Sequence, residues 1–513
     1  MPSSTYEAKT INTTATQNVI DGEYIVIFEN QFSGRINQTV AQQANQLTNE
    51  VVSSLNIKES SVLSRYKYAI KGFSAKLSDS KVAALRKDTR IKSVTPNVLF
   101  KLNYSYDITT VAPGFKSEIF GRYLSSSSQI TPWGVNRVNG PLDGTGKTAW
   151  ILDTGIDLDY PDLNVNFSES VSFIANETAD DQVGHGTHVA GILAAKNNSQ
   201  DVVGVASGAA VVAVKVCNSL PPSDPDSGCP ANNIIDGIDY VSNNAQSSDI
   251  VNISLGGPAY SPIDNTIINA ANNGIRFAIA AGNEQQDANN VTPARVEHSN
   301  VWTVSAYREG DQFVQTFDWN TPNCNGLQDP NIGSNYSNPP VDYAAPGESI
   351  LSLWRNGGTL TTCGTSMAAP HAAGLLLISP NGLTDDGFVS GDPDNDPDPI
   401  AIADIYLSVS ISGPSSLTKG QQGTWTASVS DGDGNYSYKW YYRSDDTNNQ
   451  WDGPVSYTNS YSTQMYSFDG LTMDIRVDVS DGSQRNGSRT TTVRCSDCDP
   501  GGGGGPLSVD SDN

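Results

Sequence analysis

Four short segments of this 513-residue chain hold side chains that could together carry out nucleophilic chemistry. Asp153 ends the apolar run A-W-I-L-D and is followed by T-G-I-D. His185 opens a helical pattern in G-H-G-T-H-V-A-G, and Ser366 stands at a helix start in G-T-S-M-A-A-P. A serine hydroxyl attacks well only when a base takes its proton, and an imidazole base needs a carboxylate to hold its tautomer. Asn283, in A-I-A-A-G-N-E, follows a strand pattern, where its amide could donate to a developing oxyanion.

These residues need elements that bring them together. Between Gln129 and Ile402, β-rich apolar runs at 149–153, 211–216, 250–255, 276–282 and 301–306 alternate with helical stretches at 187–196, 232–245 and 262–273. That alternation predicts an α/β domain with a mainly parallel sheet, whose reactive groups lie beyond the carboxyl ends of the strands. Before it, a strand at 24–28, a helix near 40–55, the run 66–77, a short helix at 79–87 and a strand at 91–101 predict a compact α+β unit. Residues 105–128 read as a linker. Residues 408–494 carry short alternating runs (T-W-T-A-S-V-S, Y-S-Y-K-W-Y-Y, M-D-I-R-V-D-V-S) and predict an immunoglobulin-like β-sandwich. The tail 495–513, with five glycines at 501–505, reads as flexible.

Taken together, residues 129–402 resemble the catalytic domain of a subtilase, a subtilisin-like serine protease. The chain order Asp, His, Ser is that of subtilisin, and V-N-I-S-L-G-G at 251–257 resembles the family's substrate-binding strand. The resemblance implies Ser366 as nucleophile, His185 as general acid and base, and Asp153 as the group that orients it. Asn283 and the Ser366 N–H would form the oxyanion hole, and Ser254, Leu255 and Gly256 would pair with a peptide substrate. The run A-K-N-N-S-Q-D-V-V-G-V-A at 195–206 resembles the family's calcium loop. It implies a structural calcium held by side chains of Gln129, Asp162 and Asn198 and carbonyls of Lys196, Gln200 and Val202, all hard oxygen donors. A second site at Asp342 with the Val301 carbonyl would follow the proteinase K branch. Residues 22–104 are similar to the family's inhibitory prosegment, through Y-I-V-I-F, K-G-F-S-A-K-L and the strand ending near Lys101. That likeness implies a last strand lying in the active site, cleavage near Asn103 or Tyr104, and trimming up to about Ser128.

Composition bounds the alternatives. The chain has 30 Lys+Arg against 55 Asp+Glu, a net of −25, which argues against nucleic acid as a partner. Residues 1–124 carry a net of +5, residues 125–400 a net of −23 and residues 401–513 a net of −7. No run approaches the length of a membrane span. The six cysteines, without zinc-finger spacing, predict disulfides and an oxidising compartment. The first 20 residues hold no apolar signal core, so an exported form would have a signal peptide outside this sequence. His188, His371, His298 and Asp157 read as structural. The run D-P-D-N-D-P-D-P at 392–399 lacks the glycine and final glutamate of an EF-hand and reads as a solvated acidic linker. The C-S-D-C pair lacks two further zinc ligands. The expectation is a secreted, calcium-stabilised serine endopeptidase, made as a self-processing zymogen inhibited by its own prosegment. Its substrates would be proteins or peptides, and the C-terminal sandwich would be free to bind a polymer or surface ligand. Two alternatives stand beside it: a non-catalytic surface or binding protein that uses the sandwich, and a convertase that cuts after basic residues.

Overall fold

The computed structural model describes residues 18–29, 38–101, 128–221, 224–317, 324, 332–379, 382–403, 407–430, 434–444, 450–464, 472–481 and 486–497. The stretch 102–127, residues 431–433 and the glycine-rich tail lie outside them. The chain divides into two compact units, Met1–Ala403 and Asp404–Asn513.

The first unit is built on a parallel sheet. Its central strands lie in the order Pro399–Ile402, Val341–Pro346, Val301–Arg308, Phe277–Ala280, Ile250–Ile253, Thr148–Asp153 and Ala210–Lys215, with every neighbouring pair parallel. Successive side chains point to opposite faces, so both faces must be covered by helices. Trp150, Leu152, Val212 and Val214 pack on one side with residues of two helices, Ala231–Asn244 and Ser261–Asn272. Ala149, Ile151, Val211 and Ala213 pack on the other with helices His185–Ala194 and Thr365–Ile378.

The N-terminal segment folds as strand β1 (Val19–Phe28), helix α1 (Gln38–Ser54), strands β2 (Val62–Tyr66) and β3 (Gly72–Lys76), helix α2 (Asp79–Leu85) and strand β4 (Ile91–Phe100). The order in the sheet is β4-β1-β3-β2, and β4 continues it onto Cys229–Pro230 of the larger body. Val26, Phe28, Phe73 and Ala75 pack beneath α1 and α2, while Ile25, Ile27 and Tyr66 join the core that holds the Ala231–Asn244 helix. The apolar-rich run at 66–77 begins on the last residue of β2 and continues into β3. The two strands are separated there because the Lys67, Tyr68 and Ala69 N–H groups leave the ladder and donate to the Asp239 carboxylate.

In the second unit, a three-stranded sheet (Ser408–Ser412, Gln422–Ser430, Ser460–Gln464) and a five-stranded one share a single core. Trp425 comes from the first sheet and Trp440 from the second. In Thr472–Ser480, Met473, Ile475, Val477 and Val479 are buried, while Asp474 and Arg476 between them make ion pairs and ring contacts.

Disulfides join Cys217 to Cys229 and Cys324 to Cys363, and Cys495 is also disulfide-bonded. The acidic run at 392–399 is not a solvated linker. Asp398 is 1% exposed and accepts from the Ser305 hydroxyl at 2.5 Å, and Asp392 is buried with it. Strand Pro399–Ile402 joins the sheet beside Val341–Pro346 and carries Asp398 inward, while Asp396 stays exposed.

Candidate active site

Asp153 is the last residue of its strand, fully buried, and paired in register with Lys215. His185 begins helix α4 (His185–Ala194), numbering the short helix Trp133–Arg137 as α3. The His185 Nδ1 lies 2.7 Å from Asp153 Oδ1. A carboxylate only accepts there, so Nδ1 carries the proton and Nε2 is left as the basic nitrogen. Burial opposes charge on this imidazole, but the Asp153 charge and hydrogen bond, helped by Asp181, raise its pKa above the ordinary histidine value. Asp181 also sets the helix in place. Its carboxylate accepts from the N–H groups of Val183, Gly184 and Thr187 at 2.8–2.9 Å, and from the hydroxyls of Thr154 and Thr187. This satisfies donors that a helix N-terminus otherwise leaves unpaired.

With the helices Ala231–Asn244 and Ser261–Asn272 as α5 and α6, Ser366 is the second residue of α7 (Thr365–Ile378). Its Oγ donates to the Ser254 carbonyl at 3.1 Å, and the Ser254 hydroxyl returns a bond to the Ser366 carbonyl at 3.0 Å. Gly364, just before the helix, has φ 141°, a region disfavoured for residues with a Cβ. His185, Ser366, Asn283, Ser254, Leu255, Gly256 and Lys101 line one cavity of about 50 Å³.

The Asn283 amide is held by its oxygen. Oδ1 accepts from the Thr365 N–H at 2.8 Å and the Thr365 hydroxyl at 2.9 Å, which leaves the NH₂ end to donate. The backbone around it is clasped by Asn335, whose Oδ1 accepts from the Glu284 and Gln286 N–H groups at 3.0 Å and whose Nδ2 donates to the Ala281 carbonyl and Glu284. A Cβ on Gly282 would stand 2.3 Å from Asn335 Nδ2, so this turn needs glycine. Asp181, Asn335 and Thr365 are positioning residues that the sequence reading did not single out. Only Asp181, just ahead of a helix start, left a local signal, as an acidic group placed to cap it.

The other histidines differ. His188 Nε2 donates to the Leu360 carbonyl and His371 Nδ1 to the Met367 carbonyl, and burial lowers their pKa values to about 3 and about 4. Both are neutral packing groups. His298 is half-buried, with Nε2 3.3 Å from Asn272 Oδ1. Asp157 accepts from the Asn356 N–H at 2.7 Å, a loop contact.

The six residues expected around calcium do come together. The Gln129 amide nitrogen sits among the carbonyls of Lys196 (2.6 Å), Val202 (3.0 Å) and Gln200 (3.3 Å), with Asn198 Oδ1 at 3.4 Å. Asn198 Nδ2 donates to Asp162 Oδ1, while the buried Asp162 Oδ2 meets no partner within ordinary hydrogen-bond geometry among the described residues. Burial lifts the Asp162 carboxyl to about 7. Oxygens converging on one point beside that Oδ2 fit a hard cation. Asp342 instead gives Oδ2 to the Thr303 N–H at 2.8 Å.

The model of the subtilase family matches residues 144–381, and that of the peptidase inhibitor I9 family matches residues 23–103. The chain is 32% identical to the subtilisin-like serine protease AsES of Sarocladium strictum, over 60% of this chain and 70% of the relative. The chain belongs to the subtilase family. It is also 30% identical to alkaline serine exoprotease A of Vibrio alginolyticus, over 70% of this chain, and 32% identical to subtilase-type proteinase psp3 of Schizosaccharomyces pombe, over 63%. It spans 60% and 63% of the lengths of those two relatives. The solved structure of a cold-adapted subtilisin-like serine proteinase matches 54% of this subtilase and 99% of that chain, at 31% identity and a TM-score of 0.41. No helix among the described residues of this subtilase is long and apolar enough to cross a membrane.

Proposed function

We infer that the protein is a secreted serine endopeptidase made as a self-processing zymogen. The observation that carries this reading is the buried Asp153–His185 pair, sharing one cavity with Ser366 and an Asn283 amide turned to donate. Ser366 Oγ attacks the scissile carbonyl while His185 Nε2 takes its proton, and Asp153 holds the imidazolium that forms. Asn283 Nδ2 and the Ser366 N–H receive the oxyanion. His185 then protonates the leaving amine, and a water repeats the sequence to release the acyl group. Ser254, Leu255 and Gly256 offer their backbone to an extended substrate.

Strand β4 runs toward this cavity, and Lys101 lines it, as an inhibitory prosegment would require. The first cut then falls near Asn103 or Tyr104, at the end of the span matched by the inhibitor family. Gln129, Asp162, Asn198 and the carbonyls of Lys196, Gln200 and Val202 would hold calcium, whose chemistry here is structural. Disulfides favour an extracellular setting. The two sheets around Trp425 and Trp440 favour an immunoglobulin-like type for the C-terminal unit.

Replacing Ser366 by Ala tests the reading. Peptidase activity should vanish and the N-terminal segment should stay attached, because self-cleavage uses the same nucleophile. Normal maturation of that variant, expressed alone and followed by mass spectrometry, would refute it.

A further inference from the structure

Strand β4 meets the larger body in a definite register. Phe100 pairs with Cys229 and Leu99 with Pro230, antiparallel. The Phe100 ring packs edge-on against Tyr260, with centroids 6.1 Å apart, and lies over Gly257, where a Cβ would come within 2.7 Å of it. Gly228 matters for the same contact: its φ is 145°, and a Cβ there would stand 2.3 Å from the Phe100 carbonyl oxygen. The next residue, Lys101, sends its side chain elsewhere. Its Nζ donates to the carbonyls of Pro225, in a short contact, and Ser227, at 3.0 Å. Lys101 also lines the cavity that holds Ser366.

The carbonyls come from residues 224–228, which with residues 218–221 make up the described part of the sequence N-S-L-P-P-S-D-P-D-S-G between Cys217 and Cys229, two cysteines joined by a disulfide. Internal bonds brace it. Asn218 Nδ2 donates to the Asp226 carbonyl at 2.7 Å, and Asn218 Oδ1 accepts from the Gly228 N–H at 3.1 Å. The Ser227 hydroxyl donates to the Leu220 carbonyl at 2.9 Å, and Asp224 Oδ1 accepts from the Asp226 N–H at 2.8 Å. The loop contains no basic residue and two carboxylates, Asp224 and Asp226. It therefore presents acceptors and negative charge, already ordered, to whatever side chain follows the position of Phe100. Ordering the acceptors beforehand lowers the entropy cost of binding, and a hydrogen bond from a charged donor is stronger than a neutral one.

We propose that residues 224–228 form a specificity subsite, selecting a cationic side chain at the substrate position that Lys101 occupies on the strand. The proposal rests on the endopeptidase reading, in which β4 lies as a bound peptide would. A lysine or arginine at that position meets the Pro225 and Ser227 carbonyls, and a carboxylate meets their repulsion and that of Asp224 and Asp226. The position lies before the cut, so the preference acts alongside whatever residue flanks the scissile bond.

The test uses the full-length chain after maturation and fluorogenic peptides carrying V-L-F-K-L-N-Y (98–104), with the lysine kept or replaced by Arg, Ala or Glu. The Lys and Arg peptides should share a similar kcat/KM, the Ala peptide should fall roughly 5-fold below them, and the Glu peptide lower still, in line with a partly exposed charge-assisted contact. The double variant Asp224→Asn, Asp226→Asn should narrow the Lys-to-Glu ratio of kcat/KM. Equal kcat/KM for the Lys, Ala and Glu peptides would overturn the subsite while leaving the peptidase reading intact. No turnover of any of the peptides would remove the peptidase reading, and the subsite with it.

Discussion

Thr365 stands beside Ser366, the proposed nucleophile, yet its own bonds go to Asn283, the proposed oxyanion donor. Its N–H and hydroxyl both hold the Asn283 oxygen, so they decide which end of that amide faces the substrate. Asn283→Ala should reduce kcat by about 10²–10³ with little change in KM, the loss established for the matching asparagine of subtilisin. Thr365→Val removes the hydroxyl bond to Asn283 and the one the hydroxyl accepts from the Gly282 N–H, and leaves the Thr365 N–H on the Asn283 oxygen. We expect a smaller loss, about 10-fold in kcat, because the amide is then only partly restrained. Steady-state kinetics on one peptide separate the cases: a loss confined to KM in either variant would contradict the oxyanion role.

At the scale of elements, α5 faces the N-terminal segment with two carboxylates one turn apart, Asp236 and Asp239. Asp236 accepts from the Ser64 hydroxyl, and Asp239 accepts three N–H groups from residues 67–69. Burial pushes Asp239 up to about 6 despite those bonds and nearby Lys71, and pushes Asp236 well above the carboxylate range despite Ser64 and Lys67. Once the segment leaves, both groups face water and return toward ordinary values. Bound pKa values above the free ones mean that association takes up protons. The complex is therefore tightest below about pH 4 and weakens as pH rises through about 6. The inhibition constant of residues 1–104 should rise severalfold over that range, and Asp236→Asn should flatten the rise; a flat profile in the unmodified protein would contradict it. The segment Gln129–Ile130 and the loop 196–202 form a second such clasp. Chelation should lower the Tm of the mature enzyme, since a cation bound only to the native state stabilises it by mass action. Asp162→Ala should abolish most of the calcium response seen by calorimetry.

Across the whole molecule, charge is divided between a first part of net +5 and a middle part of net −23. Such opposed fields steer encounter and raise the on-rate more than they tighten the complex. At physiological salt the field is screened within about 8 Å, while the buried contact is not. The contact itself rests on Ile25, Ile27, Tyr66 and Phe100, which share a core with α5 and α6. Residues 1–104 added to the processed enzyme should therefore inhibit with an on-rate that falls steeply from roughly 0.05 to 1 M salt and an off-rate that barely moves. An on-rate indifferent to salt would leave the asymmetry with no part in assembly.

How much was legible varied with the range of the interaction. The strands at 149–153 and 250–253 and the helix starts at His185 and Thr365 were readable because apolar period and terminal residues are local properties. The same holds for the alternation in M-D-I-R-V-D-V-S, whose apolar members all turn inward. The pairing of Asn335 with Glu284, 51 residues apart, or of Ala69 with Asp239, 170 apart, left no local trace. The acidic run at 392–399 was misread for the same reason. Its composition is that of a linker, and only the docking of Pro399–Ile402 against a strand some 55 residues earlier buries Asp398 beside Ser305. Sequence by itself determined which segments are strands and helices and which side chains could do chemistry, because those follow from neighbours along the chain. The tertiary structure alone decided which way the Asn283 amide faces, which carboxylates lose their water and where Lys101 ends, because each depends on groups that only packing brings together.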